Sequence, residues 1–305
     1  MILKARPAYS PTMPLTFKEK LLSDDFLVTA EITPPKGTDL SGALGDADIL
    51  RVLADALNVT DNQRAIMRMS PIAVSKALLD QGHEVIMQLT CRDRNRLALQ
   101  SDVLAAYSLG VRNICVMSGD HTTRGDHPKA RPVFDIDSVQ LLGAIRKMKE
   151  GFDLAGNEIN SLPDLTVGAV SNTDPSKPMH ILKLRKKIKM GAEFVQTQAV
   201  YDIGQFEIFM EQIGDLDIPF IAGVIPLKSA KMALFMNENI PGINVPADII
   251  KRMESAEKPA DEGLSICAET IRELKGLCRG VHVMPIGKHT RTPELLEMAG
   301  IGKRD

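Results

Sequence analysis

The feature that most restricts what this chain can fold into is a regular alternation. Short apolar runs, each ending in polar residues, are separated by stretches of helical character. Eight such runs can be placed, at residues 26–32, 56–60, 84–90, 112–117, 165–170, 193–198, 218–225 and 281–286. Helical segments are expected at 15–22, from Asn62 to Leu79, at 95–109, 137–149, 179–190 and 203–213, in three pieces after Pro226 (the last over 260–278), and in a short final turn. Several of these segments stop at glycines (Gly82, Gly110, Gly191) in the manner of helix C-termini. Near-continuous apolar strands joined by helices are the mark of parallel βαβ units, whose sheet is covered on both faces.

Eight strands favour a closed (β/α)8 barrel over an open doubly wound sheet. An open sheet of this size would more often carry a Gly-x-Gly-x-x-Gly turn after its first strand. Here the first strand runs into Pro34-Pro35. The 305 residues suit one barrel domain over residues 15–305, preceded by a flexible tail over 1–14 that holds three prolines. An apolar share of 44% supplies a sizeable core, and a net charge of −2 gives no reason to expect a nucleic-acid or anionic-membrane partner. No apolar run reaches the roughly 18 residues of a membrane helix. Cys91, Cys115, Cys267 and Cys278 form no C-x-x-C pair and lie in apolar segments, which points to a reduced, cytoplasmic protein.

In a barrel of this kind the active site lies at the C-terminal ends of the strands. Those ends carry Glu31, Thr60-Asp61-Asn62, Gln88, Thr90 and Arg92, then Met117-Ser118-Gly119-Asp120, Asn172 and Asp174, Gln196 and Gln198, Pro226 and Lys288. Strand ends are polar in any case, because loops begin there, but this set is a ring rich in hydrogen-bonding groups. Glu31 is the most pointed member, since it sits inside its strand. A carboxylate there is desolvated, and desolvation raises its pKa. An ordinary glutamate is protonated in about one molecule in 500 at pH 7, and a rise of about two pH units lifts this to about one in six. A general acid needs that poise. The plain alternative is a glutamate paired with a nearby Arg or Lys for structure.

Gly119-Asp120-His121 and Gly125-Asp126-His127 invite a metal reading, yet their spacing matches no compact zinc motif. A solvated loop with one functional acid, Asp120, is the expectation, with no metal. The basic run Lys183–Lys189 is either a solvated helix face or a source of cations for a phosphate.

Six segments in register give the chain a resemblance. Glu31-Ile-Thr-Pro-Pro-Lys36, Asn58-Val-Thr60, Gln88-Leu-Thr-Cys91, Ser118-Gly-Asp120, Gly191-Ala192 with Thr197-Gln198, and Gly223-Val-Ile-Pro226 together resemble the methylenetetrahydrofolate reductase family from about Phe26 to Ile301. The run 91–101 and Gly119-Asp-His121 look like the subgroup of acetogenic and related anaerobic bacteria. The resemblance implies a flavin-dependent barrel that reduces 5,10-methylenetetrahydrofolate to 5-methyltetrahydrofolate by hydride transfer from reduced flavin. That step belongs to one-carbon metabolism, feeding methionine synthesis or an acetogenic methyl branch.

By the same resemblance the flavin is FAD, or the shorter FMN, and Glu31 is the acid that protonates the folate N10. Asp120 lies beside flavin and pterin. Thr60, Gln88, Met117, Ser118, Gly119, Asp120, Asp174 and Lys187 hold the flavin, while Glu31, Asp120, Gln198 and Lys288 hold the folate. Gln88 and Ser118 replace a His and an Arg common in NAD(P)H-using members, residues 171–175 replace an aromatic, acid and His segment, and Met232 and Met236 replace a Gln and an aromatic. These departures leave the electron donor open between NAD(P)H and a partner or ferredoxin-linked system, and the resemblance to the anaerobic subgroup implies a zinc- and iron–sulfur-containing partner subunit as that donor. A non-redox, folate-binding methyltransferase barrel is the alternative from another class.

Overall fold

Around the sheet of the computed structural model, which describes residues 15–303, the strands follow sequence order and close on themselves, β1 pairing with β8. They are β1 (Leu27–Ile32), β2 (Ala56–Val59), β3 (Val85–Thr90), β4 (Asn113–Met117), β5 (Thr166–Ser171), β6 (Phe194–Ala199), β7 (Phe220–Val224) and β8 (Gly280–Val283). All eight pairings are parallel. The expected (β/α)8 barrel is therefore present. The expected tail, residues 1–14, lies outside the described residues.

The outer layer is made by α1 (Phe17–Leu22), α2 (Ser41–Leu50), α3 (Pro71–Asp80), α4 (Arg96–Ser108), α5 (Ser138–Lys149), α6 (Pro178–Lys189), α7 (Ile203–Gln212), α8 (Ala230–Asn239), α9 (Ala247–Ser255), α10 (Pro259–Leu274) and α11 (Thr292–Met298). Local chemistry sets several of their starts. The Asn95 side chain accepts from the amides of Leu97 and Ala98, and Asp137 forms a reciprocal capping box with Gln140. Prolines open α3 and α6 at positions where no amide hydrogen bond is lost.

Three expectations need correcting. Helix α2 was not anticipated: its sequence SGALGDADIL carries two glycines and buries only Ala43, Ala47 and Leu50, so its apolar stripe is thin. The stretch after Asn62 is not helical until Pro71; residues 63–65 form a single tight turn instead, with Arg64 and Ala65 left-handed. Strand β8 ends at Val283 rather than Ile286, because Pro285 cannot donate to a ladder.

Side-chain alternation along the strands builds the interior in layers. On β1, Val28, Ala30 and Ile32 face the helices in one apolar cluster, while Leu27, Thr29 and Glu31 face the barrel axis. Leu27, Ala56, Ile86, Cys115, Phe194 and Ile221 form an apolar bottom layer, which α1 seals from below. Phe17 of α1 is fully buried and meets the Phe194 ring edge-on at 5.3 Å. Burial of one such side chain contributes roughly 1.5–3 kcal/mol. Above this layer the interior turns polar, and there the site begins.

Candidate active site at the C-terminal mouth of the barrel

The floor of the site is a buried hydrogen-bonded layer. The Asn58 amide donates to Gln196 Oε1 at 2.7 Å, and the Gln196 amide in turn reaches Thr29 Oγ1 at 3.4 Å. Thr29 Oγ1 lies 2.9 Å from His282 Nδ1. Burial pushes the His282 pKa down to about 3, so the ring stays neutral. A floor of amides, a hydroxyl and a neutral imidazole offers hydrogen bonds but no counter-ion.

One layer above stands Glu31, which is only 8% exposed. Burial raises its carboxyl to about pKa 7, and the one opposing contact is the Gln63 amide, which donates to Oε1 at 2.7 Å. No Arg or Lys pairs with it among the described residues. The structural alternative, a glutamate locked in an ion pair, therefore does not apply. Instead the group is half protonated near neutrality, the condition a general acid requires.

Its strand is fixed from the far end of the chain. His289 Nε2 donates to the Glu31 carbonyl oxygen at 2.6 Å, while Nδ1 faces the Thr292 hydroxyl at 3.0 Å, which sets the tautomer.

The loops after β2, β3 and β4 are drawn together by Arg92. Its side chain is 2% exposed, and every arm of its guanidinium is used. Nε and Nη2 hold Asp93 at 2.8 and 2.7 Å; Nη1 donates to the Asp120 carbonyl and Nη2 to the Asn62 carbonyl, both at 3.1 Å. A second buried pair lies beside it. Arg94 grips both oxygens of the fully buried Asp61, and Asp61 also accepts from the amide and hydroxyl of Thr90. Breaking such a pair by removing one partner costs about 3–5 kcal/mol, because it strands a buried charge. Sequence reasoning placed Arg92 and Asp61 on the ring without a role; the Cys-Arg-Asp-Arg run of opposite charges was the available signal.

Thr60, Gln88, Ser118 and Gly119 fall along one arc of this mouth. The Thr60 hydroxyl is buried and has no hydrogen-bond partner. Gly119 takes φ +84°, and a side chain there would crowd Thr90, its Cβ only 3.1 Å from Thr90 Cβ. Ser118 donates to Ser138 at 3.2 Å, and Gln88 is buried. Met117 ends β4 half-buried, and beyond it Asp120 is exposed; its carboxylate contacts no described side chain, unlike its carbonyl.

Lys187, on α6, is 6% exposed; its ammonium donates to the Val170 carbonyl at 2.6 Å, and burial lowers its pKa to about 8. Lys183, by contrast, is solvated. Asp174 is engaged locally: its Oδ1 accepts from the Ser176 hydroxyl and amide, contacts that hold its pKa below the usual range. Gln198 is half-buried on β6, and Lys288 is exposed after β8 beside a cavity of about 200 Å³ lined by Pro226, Lys228 and Arg291. A larger hollow, about 910 Å³, opens at the opposite end around α1 and Arg279.

Other sequence candidates are used in structure. Met236 is 2% exposed, packs in an apolar cluster with Tyr201 and accepts a long contact from its hydroxyl, so it presents nothing to a ligand. His121 stacks on Phe134 at 6.4 Å, and Asp126 is tied to Lys36 and His127. Among the described residues no three His, Cys, Asp or Glu side chains converge as a metal site would require. The four cysteines are unpaired. No described helix is long and apolar enough to cross a membrane.

Comparison with known proteins places this geometry. The solved structures it resembles include an uncharacterized protein from Clostridium thermocellum that binds two copies of 5-methyl-5,6,7,8-tetrahydrofolic acid. That match has a TM-score of 0.63 at 18% identity and covers 92% of this chain and 96% of that one. A 2,3-dimethylmalate lyase matches at TM-score 0.51 and 12% identity over 93% of this chain and 84% of the other. At such identities both comparisons speak to the fold alone.

Among curated sequences, methylenetetrahydrofolate reductase 2 of Schizosaccharomyces pombe is 24% identical over 245 residues, 73% of this chain and 37% of the relative. A probable NADPH-type methylenetetrahydrofolate reductase of Caenorhabditis elegans is 23% identical over 243 residues, 77% of this chain and 35% of the relative. The chain thus spans little more than a third of the length of either. The family model described as methylenetetrahydrofolate reductase matches residues 16–300, from the plug at the bottom of the barrel to the end of its last helix. An unbroken match across every strand that carries the site settles the kinship: the chain belongs to the methylenetetrahydrofolate reductase family.

Proposed function

We propose that this protein reduces 5,10-methylenetetrahydrofolate to 5-methyltetrahydrofolate with a bound flavin, Glu31 serving as the proton donor. The observation that carries the reading is the state of Glu31: buried, unpaired with any cation among the described residues, and raised to about pKa 7. Such a group can give a proton to the folate N10, opening the five-membered ring to an iminium, while leaving a carboxylate stabilised by the Gln63 amide. Family membership supports the reaction class.

The residues fit a flavin. Thr60 offers a buried hydroxyl without a partner, Gly119 brings backbone close to Thr90 with no side chain in the way, and Lys187 supplies a cation at the wall of the same mouth. When bound, the flavin supplies the hydride. Asp120, with its carboxylate unengaged, is assigned to the pterin and flavin edge; Gln198 and Lys288, on the opposite arc, are assigned to the folate. The neutral floor orients ligands by hydrogen bonds without competing for the proton of Glu31.

Electrons are assigned to a partner protein rather than to NAD(P)H. Ser118 is small and bonded to Ser138, and Met236 is buried in an apolar cluster. Neither offers the polar and aromatic grip a nicotinamide needs.

Anaerobic mixing of the purified flavoprotein with 5-methyltetrahydrofolate tests the folate half-reaction. Flavin bleaching is expected for the wild type and its loss for Glu31→Gln with flavin still bound. A colourless protein that still binds folate would move the assignment to a non-redox methyltransferase. Rapid bleaching by NADH alone would refute the partner route.

A further inference from the structure

The turn that touches Glu31 has a backbone that ordinary side chains avoid. Asn62, Arg64 and Ala65 have φ of 45°, 57° and 57°, three left-handed residues in four, none of them glycine. Such conformations persist only where the surroundings over-determine them, and they gather at functional sites. Here the surroundings are explicit. Arg92 donates to the Asn62 carbonyl; the Asn62 side chain donates to Asp93 at 3.2 Å and accepts from the Arg68 amide at 2.9 Å. Arg68 reaches back to the Pro34 carbonyl at 3.0 Å, and the Met67 amide donates to Asp126 at 3.0 Å.

The loop after β4 lies directly on this turn. A Cβ added at Gly125 would stand 1.8 Å from the Ala65 carbonyl oxygen, so only glycine allows the approach. The Gly125-Asp126 pair thus has a structural use: the glycine admits the turn and the aspartate anchors it. Everything in this scaffold converges on one side chain that is not itself part of it, Gln63.

We propose that Gln63 is the positioning residue for the acid: its amide occupies Glu31 Oε1, so that the proton of the neutral acid is carried on Oε2, the oxygen presented to substrate. An amide N–H only donates, and in a neutral acid the carbonyl oxygen is the stronger acceptor, so the contact on Oε1 favours the proton on the other oxygen. The hydroxyl is thereby biased to Oε2, which has no partner among the described residues. Without the amide the proton could sit on either oxygen, and the acid would lose its aim.

Neighbouring charges do not replace this control. His289 touches only the main-chain oxygen of Glu31 and is itself driven toward neutrality by burial; the Asp46 carboxylate accepts from the His289 amide. His282 below is neutral, and Asp61 is matched by Arg94. Among the described residues, Gln63 is the single polar side chain on the carboxyl.

The proposal rests on Glu31 being the proton donor, and its test separates the two ideas. Glutamate carboxyl carbons labelled with 13C report the Glu31 midpoint directly in the holoprotein without folate, the signal being assigned by its absence in Glu31→Gln. Gln63→Leu keeps the bulk that excludes water but removes the donor. Its Glu31 midpoint should rise by about one pH unit, a tenfold change in the protonated fraction. The pH profile of flavin bleaching by 5-methyltetrahydrofolate should move with it, at a rate at least about tenfold lower.

Gln63→Asn, too short to reach, should behave like Gln63→Leu, and Asp126→Ala, which releases the turn at a distance, should shift the midpoint in the same direction by less. An unmoved midpoint in Gln63→Leu or Gln63→Asn overturns the proposal. A shifted midpoint alongside normal turnover in Glu31→Gln instead overturns the acid role and leaves the coupling standing.

Discussion

Replacing Glu31 by Gln should make the protein more stable, and more so the higher the pH. A carboxyl whose pKa rises from 4.5 in the unfolded chain to about 7 in the native state holds a proton that the unfolded chain has released. Between those values the unfolded state binds fewer protons. Native stability from this group is therefore full below pH 4.5 and is lost as pH rises through about 7. At about 1.4 kcal/mol per pH unit of displacement, the whole effect is roughly 3 kcal/mol, of which about 2–3 kcal/mol falls between pH 5 and pH 8. Because Glu31 is 8% exposed, solvent screening removes little of this.

Gln has the same shape, can accept from Gln63 and carries no charge to desolvate. Equilibrium urea denaturation of both proteins at pH 5 and pH 8, with equal added flavin, checks the expectation. The variant should match the wild type within about 1 kcal/mol at pH 5 and exceed it by roughly 2–3 kcal/mol at pH 8. A stability difference that does not change with pH would show that the carboxyl is not desolvated as described. The acid role inferred from its burial would then lose its basis.

Two further outcomes follow from the mouth of the barrel. Thr60→Val replaces a buried hydroxyl that has no partner, so without added flavin its stability should hold or rise by about 1 kcal/mol. Flavin affinity, read by fluorescence titration, should fall about tenfold, and an unchanged affinity would remove Thr60 from the flavin contacts. Lys187→Met removes an ammonium whose pKa burial depresses to about 8. Wild-type stability should increase as pH rises from about 8 toward the ordinary 10.5, since the native state sheds its proton first, and that slope should vanish in the variant.

The barrel was legible because its strands announce themselves twice, once as apolar runs and again through the polar residues that end them. Glu31 was legible too, since a carboxylate flanked by Ala30 and Ile32 inside a strand has few innocent explanations. What escaped reading was whatever depends on closure or on backbone irregularity. Asn58 and Gln196 are 138 residues apart and meet only when β2 and β6 face each other across the axis. Gln63 lay in a stretch read as helix, because nothing local signals three left-handed residues that are not glycine; their conformation is held by Arg92, Asp126 and Gly125 from the loops after β3 and β4. Lys187 sat in a run of cations that composition alone cannot sort into a buried member and a solvated one. Helix α2 was missed for a humbler reason, its thin stripe of small residues.

The seam between β1 and β8 has a consequence for when the acid comes into being. His289 holds the strand of Glu31 from 258 residues away, and β1 gains its second neighbour only when β8 docks. A chain lacking its last strand, nascent or clipped, would leave Glu31 wetted and its pKa ordinary. The working acid therefore depends on the seam between β1 and β8 being closed.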